Sequence, residues 1–311
     1  MAIRIAVIGV GHLGRHHARL LASLPAAGLV GVVDADPDRS AAVAAEFGTR
    51  AFASLEDLPR DLQAATVAVP TEAHRRVALS CLDRGWDVMV EKPLAASGEE
   101  GREIVEAAER AGAVLQVGHT ERYNPAVRSS VPRILRPLFI EAHRLGTFAA
   151  RSLDVDVILD LMIHDLDLVR SLDASPVTAV AAVGVRALTD KMDIANARIR
   201  FESGCVANLT ASRISTDRVR KIRIFQADSY LSIDTAEQEV AHYRLEHGGE
   251  GRPRIVREQV IVEKDEPLRV ELASFLDAVS TRDRPIVSGR DGLFALELAE
   301  EVRRVIREGG S

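Results

Sequence analysis

The chain has 311 residues, 47% of them hydrophobic and 28% charged, enough apolar material for about two globular domains, which excludes bulk disorder. Lysine plus arginine total 40 against 46 aspartates and glutamates, a net charge of −6 that excludes a general binder of nucleic acid or anionic membrane. Cys81 and Cys205 are too few for a disulfide framework or a Cys-rich metal site and fit buried thiols in a reducing compartment. No apolar run approaches the roughly 18 residues of a membrane span, and the short run ending at Val10 lacks a signal-peptide cleavage site, so a soluble, cytoplasmic protein is expected.

In chain order, Ile3 to Ile8 reads as a strand and His12 to Ser23 as a helix. Leu29 to Val33 reads as the next strand, followed by a helix over Asp38 to Phe47 with Asp36 as its cap ahead of Pro37. Ala65 to Val69 and a helix over Ala73 to Arg84 repeat the scheme, as do Asp87 to Val90 and Val114 to Val117 around a helix from Glu99 to Ala111. Short continuous apolar strands alternating with amphipathic helices predict βαβ units, a doubly wound parallel sheet of the α/β class covered on both faces.

Beyond residue 120 the period changes. Phe139 to Leu145, Val177 to Val185, Ala195 to Phe201, Cys205 to Ala211, Lys221 to Phe225 and Tyr230 to Ile233 read as strands joined by short turns, which predicts an open, mostly antiparallel sheet. One long amphipathic helix, Val157 to Leu172, interrupts them, and helices over Leu268 to Thr281 and Asp291 to Arg307 close the chain. His247 to Pro253 reads as an exposed hairpin or loop. The basic run Arg218 to Arg223 reads as a solvated sheet edge protected by charge, with a substrate phosphate as the alternative. The boundary between domains is expected near Gly118 to Asn124, giving residues 1–120 and 121–311, with the last helix available to pack back on the first domain.

Three stretches carry chemistry. Gly9, Gly11 and Gly14 form G-x-G-x-x-G between a strand and a helix, with His12 and Leu13 inside the motif and Asp34 twenty residues beyond, at the end of the next strand. Gly9 permits the tight turn, Gly11 lets backbone approach a pyrophosphate, and Gly14 lets helix and strand pack closely. The helix N-terminus offers its N–H groups to the phosphates, and Asp34 accepts from the adenosine ribose. The Asp34 charge repels a 2′-phosphate and favours NAD; Arg39 leaves NADP open as the alternative. A turn with a capping carboxylate that binds nothing also stays open.

Glu91-Lys92-Pro93 ends a strand at the carboxyl edge, where open α/β sheets bind ligands, and Lys92 can donate to a developing alkoxide. The alternative is a surface Glu–Lys pair. At the equivalent edge of the preceding strand, Thr71 is placed to cap a helix and touch a cofactor, while His74 is as readily structural as functional. Asp160, His164 and Asp167 project on one face of a helix at 100° per residue, where a carboxylate four residues from an imidazole makes it a general base; a plain wet helix face is the alternative. No Cys or third His stands at metal-site spacing, so no metal is expected. Arg122, Tyr123 and Asn124 follow the last parallel strand and are candidates to face the cleft.

Together the glycine motif, Asp34, Pro70-Thr71-Glu72-Ala73-His74, Glu91-Lys92-Pro93, the D-x-x-x-H-x-x-D helix and the closing Ser288-Gly289-Arg290-Asp291-Gly292 resemble the glucose–fructose oxidoreductase / inositol dehydrogenase / MocA family along nearly the whole chain. The resemblance implies a Rossmann domain followed by an α/β domain whose open sheet supports a homodimer or homotetramer. It implies Lys92, Asp160 and His164 in the catalytic positions, with Glu91 and Lys92 beside the cofactor and Asp167 beside the substrate. The Lys92–Pro93 peptide is then a candidate for the cis form. Met162, and the lead-in Asp154 to Val157, depart from the family's usual glycines. V-G-H-x-E-R-Y-N-P with D-L-M-I-H-D is similar to a branch containing UDP-N-acetylglucosamine 3-dehydrogenases. The implied activity is NAD-dependent oxidation of a sugar or nucleotide-sugar hydroxyl, His164 taking the proton and Lys92 stabilising the oxyanion. A non-catalytic nucleotide-dependent regulator and a bilin-type reductase are the alternatives.

Overall fold

A computed structural model describes residues 2–148, 155–246 and 253–309. The chain forms two compact units, one from the residues up to Thr120 with Glu266–Leu296, the other from Glu121–Asp265 with the chain from Glu297 onward.

The first unit contains β1 (Ile3–Ile8), α1 (His12–Ser23), β2 (Ala27–Val33), α2 (Pro37–Glu46), β3 (Arg50–Phe52), β4 (Ala64–Val67), α3 (Thr71–Leu82), β5 (Asp87–Glu91), α4 (Gly98–Ala111) and β6 (Leu115–Gly118). Its six strands are all parallel in the order β3-β2-β1-β4-β5-β6. Order reverses between β1 and β4, and that crevice at the strands' carboxyl ends is where open α/β sheets hold ligands. The strands are apolar throughout because both faces are covered: Ile5, Val7, Val32 and Met89 are wholly buried. Asp36 caps α2 as the sequence predicts, accepting from the N–H groups of Asp38 and Arg39. The short edge strand β3 carries too little pattern to be seen in sequence.

The second unit contains α5 (Pro125–Ser130), β7 (Phe139–Leu145), one π-helical turn (Ile158–Met162) running into α6 (Ile163–Leu172), then β8 (Val177–Val185), β9 (Ile194–Phe201), β10 (Val206–Ser212), β11 (Val219–Phe225), β12 (Ser229–Asp234), β13 (Glu239–Glu246) and β14 (Arg254–Glu258). Its sheet runs β14-β13-β12-β11-β7-β10-β9-β8, antiparallel except for β7 against β10. Alternate residues are buried, as in Ala195, Ala197, Ile199 and Phe201 of β9, so one face packs under α6 and the other is wet. On the wet face Phe139, Phe225, Tyr230 and Tyr243 form a row across four strands, with ring centroids 5.6, 4.9 and 6.0 Å apart.

Two sequence expectations are corrected here. All of the basic run but Arg218 lies in β11, between β7 and β12 inside the sheet, where Arg223 donates to Glu141 across the strands at 2.8 Å. Strands β13 and β14 were not expected, because their mixture of charged, aromatic and aliphatic residues blurs the period of two. The expected loop over His247 to Pro253 lies, but for Pro253, outside the described residues, as does Asp154. The last two helices are α7 (Pro267–Thr281) and α8 (Gly289–Gly309). It is α7, not the last helix as a whole, that joins the first unit: Leu272, Phe275 and Leu276 share a core with Ile3, Ile5, Val7, Leu20 and Leu21.

Candidate active site

In the first unit the glycine motif is built as its chemistry requires. Gly9 sits at φ +83°, and a Cβ there would lie 2.7 Å from the Ala68 carbonyl carbon. A Cβ on Gly14 would lie 1.8 Å from the Gly9 oxygen, so β1 and α1 can meet only through glycine. Gly11 is the contrast. It starts α1 without a side-chain cap, and a Cβ there would meet nothing within 4 Å. The first N–H groups of α1 therefore face a cradle that a side chain would fill, the geometry that takes a phosphate at a helix N-terminus. His12 and Leu13, the first helical residues, are exposed.

Asp34 ends β2 beside this turn. Its carboxylate accepts from Val10 N–H at 2.7 Å and Asp36 N–H at 2.9 Å, which fixes its orientation while leaving lone pairs for ribose hydroxyls. Arg39 lies against Asp34 and Asp36 at 3.3 and 3.1 Å. The cradle and the fixed carboxylate fit the pyrophosphate and ribose of NAD.

Lys92 follows β5 and is half-buried, and its peptide to Pro93 is cis. Glu91 is buried and accepts from His17 Nε2 at 2.9 Å and from the Lys92 N–H at 3.1 Å. Burial alone would raise the Glu91 carboxyl, but the His17 hydrogen bond and the neighbouring Lys92 charge hold it below the usual carboxylate range. Glu91 thus anchors the turn that carries Lys92 to α1. His74 is buried with Nδ1 2.9 Å from the Pro93 oxygen and Nε2 2.9 Å from the Val69 oxygen. It ties the ends of β4 and β5 together, with burial lowering its pKa. Thr71 is the first residue of α3, which starts earlier than expected with Pro70 at its N-cap, and no side-chain cap bond forms.

In the second unit Asp160 lies in the π-helical turn and His164 just beyond it; both are half-buried. The wider i→i+5 turn means that the α-helical 100° spacing read from sequence does not hold between them. Asp165 and Asp167 are buried. Arg122 Nη1 stands 3.7 Å from Asp167 Oδ1. Tyr123 is wholly buried. Asn124 caps α5, accepting from Ala126 N–H at 3.0 Å and donating to the Thr235 oxygen at 2.8 Å. One N–H and one lone pair of its carboxamide are thus used by the fold.

Sequence reading missed the charge cluster beneath α6. Arg144 donates from Nε and Nη2 to Asp165 at 3.0 and 2.7 Å and from Nη1 to Glu121 at 2.7 Å, all three side chains being buried. Burial would raise Glu121, but Arg144 overrides it and holds the carboxyl low. For Asp165, deeper in the protein, burial prevails and its pKa is raised. His17 was missed too, although its place three residues after Gly14 on the buried face of α1 was a signal.

Residues 3–119 match the model of the GFO/IDH/MocA oxidoreductase family, NAD-binding Rossmann fold, and residues 135–229 match the GFO/IDH/MocA C-terminal domain. The chain belongs to this family. It is 39% identical to UDP-N-acetylglucosamine 3-dehydrogenase from Acidithiobacillus ferrooxidans, over 97% of this chain and 96% of that one. It is 27% identical to scyllo-inositol 2-dehydrogenase (NAD(+)) from Bacillus subtilis, over 99% and 95%. A solved structure of the A. ferrooxidans enzyme GnnA superimposes with a TM-score of 0.94 at 38% identity, covering 99% and 98%. A levoglucosan dehydrogenase in complex with NADH shares the fold at a TM-score of 0.88 and 19% identity. The chain is thus an NAD-binding oxidoreductase of the dehydrogenase type. No helix among the described residues is long and apolar enough to cross a membrane.

Proposed function

We propose that this dehydrogenase reversibly oxidises the 3-hydroxyl of a sugar nucleotide of the UDP-N-acetylglucosamine kind. One observation carries the proposal: 39% identity to such an enzyme extends over 97% of the chain and so spans both the phosphate cradle and the helix with Asp160 and His164. Gly9, Gly11, Gly14 and Asp34 hold the NAD, with His12, Leu13 and Arg39 around them. The cofactor supplies the hydride acceptor. His164 takes the hydroxyl proton, and Asp160 favours the charged imidazole that results. Lys92, held by the Glu91–His17 anchor, donates to the alcohol oxygen as negative charge develops there. Arg122, paired with Asp167 one turn beyond His164, offers a guanidinium to the nucleotide phosphates. A second copy of the chain covers the aromatic row on the wet sheet face, making a homodimer or homotetramer, and the enzyme works in the cytoplasm on its NAD pool.

The test is NADH formation with UDP-N-acetylglucosamine, with free N-acetylglucosamine and myo-inositol as separate arms. The expected order is sugar nucleotide far above either. Lys92→Ala and His164→Ala each lower turnover by roughly 10²–10⁴-fold, while NADH affinity measured by fluorescence stays near that of the parent. Turnover on inositol but on no sugar nucleotide would overturn the substrate, and unchanged turnover in a variant would remove that residue from the mechanism.

A further inference from the structure

A cavity of about 630 Å³ opens in the second unit where the segment between α5 and β7 meets the β11–β12 turn and the β13–β14 pair. It lies at the Phe139 end of β7, whereas Arg144 and the α6 cluster lie at the Leu145 end. At about 3.3 Å per residue the two ends are roughly 20 Å apart. The volume is that of a small-molecule site.

Its wall is preformed by one side chain. Gln226 Oε1 accepts from the N–H groups of Leu135 and Arg136 at 2.7 and 2.9 Å. Its Nε2 donates to the Arg133 oxygen at 2.9 Å and to Ser229 Oγ at 2.8 Å. That is the full capacity of a carboxamide, so the segment carrying Arg133 and Arg136 is pinned against the β11–β12 turn.

The lining is chemically mixed. Glu258 is engaged by Arg244 at 2.6 Å, and its other oxygen lies 3.0 Å from His242 Nδ1. Arg133 gives one N–H to the Ser129 oxygen at 2.6 Å, and no other described residue pairs with the Arg136 guanidinium. Asp228 is the remaining carboxylate on the wall, and Leu135 and Leu138 form an exposed apolar lip. Only 3% of His242 is exposed; Nδ1 faces Glu258, while Nε2 makes no hydrogen bond to the described chain. A buried ring nitrogen without a partner costs about 1–3 kcal/mol, a deficit that a polar group bound at Nε2 would relieve.

We propose that this cavity is a second ligand site, distinct from the dehydrogenase centre, and that it takes a small hydroxylated organic phosphate such as a sugar phosphate. Arg133 and Arg136 receive the phosphoryl oxygens, since paired guanidiniums suit a dianion. Asp228 accepts from a ligand hydroxyl, His242 pairs with a second, and Leu135 and Leu138 cover the carbon skeleton.

The experiment uses the full chain saturated with NAD and titrates glucose 1-phosphate, inorganic phosphate and glucose separately. Heat of binding and the ring resonances of His242, assigned through His242→Gln, are followed. Glucose 1-phosphate is expected to bind and shift the His242 ring. Arg136→Ala, an exposed change outside the catalytic set, should weaken that binding about tenfold or more, about 1.4 kcal/mol, with melting temperature and turnover unchanged. Binding that leaves the His242 ring unmoved, or that Arg136→Ala leaves intact, overturns the proposal. So does inorganic phosphate binding as tightly as the sugar phosphate, or glucose binding without it. Each of these outcomes is independent of which sugar the dehydrogenase centre oxidises.

Discussion

Arg144→Met removes the cation that lies between two buried carboxylates while nearly keeping the side chain's apolar length. In the parent, three charge-assisted hydrogen bonds run from one guanidinium to Asp165 and Glu121. After the change the cation nearest Glu121 is Arg220, whose Nη1 is 3.6 Å away. Asp165, with its side chain 3% exposed, loses both hydrogen bonds to a cation and keeps only the more distant charge of Arg220. Removing one partner of a buried pair costs about 3–5 kcal/mol, because the remaining charge is neither solvated nor paired. For a unit of this size about 4 kcal/mol corresponds to roughly 8–16 °C of melting temperature. The loss depends on pH with a definite sign. Burial already raises Asp165 above its unfolded value with Arg144 present, and more so without it. The destabilisation is therefore full well above that raised pKa and shrinks as acid protonates the carboxyl. Calorimetric melting from neutral to mildly acidic pH, on Arg144→Met and on Arg144→Met/Asp165→Leu, checks the reasoning. The double variant should recover more than half of the loss at neutral pH. A single-variant loss under about 1 kcal/mol, or a double variant no better than the single, would refute the assignment of the cost to a stranded charge.

Gly11→Ala should leave melting unchanged, since its methyl meets nothing, yet weaken NADH binding about tenfold or more by filling the cradle; equal affinity in a fluorescence titration would place the phosphates elsewhere. Gly14→Ala puts a methyl 1.8 Å from the Gly9 oxygen and should cost more than about 3 kcal/mol in denaturant unfolding. Burial opposes ionisation of Asp193, but N–H groups of Ala187, Leu188 and Thr189 and the Thr189 hydroxyl hold its carboxyl down at about 2. That contributes about 2 kcal/mol above pH ~4, lost as pH falls toward 2, and Asp193→Asn should show the same deficit at neutral pH with a flatter acid limb. Phe225→Glu with Tyr230→Glu charges the wet sheet face and should dissociate the proposed oligomer in light scattering while each protomer stays folded; an unchanged mass would refute an interface on that face.

The parallel sheet, the phosphate turn, Asp34 and the Lys92 turn were legible in sequence because their determinants are near neighbours: period of burial, glycines where backbone must pass backbone, a carboxylate one strand away. Long antiparallel strands with clean alternation, such as β9, were legible for the same reason. What tertiary structure decided involves chain that returns from far away. Glu91 meets His17 across 74 residues, Arg144 meets Glu121 and Asp165, and α7 packs its Leu272 and Phe275 on β1. Sequence did not show that the Asn124 carboxamide caps α5 and reaches the Thr235 oxygen, nor that both His74 nitrogens meet carbonyls that folding brings to them. The π-helical turn at Asp160, which lies against β10, was likewise not legible in the sequence spacing. Local pattern encodes which groups must be buried; only the closed chain determines what each buried polar group is buried against.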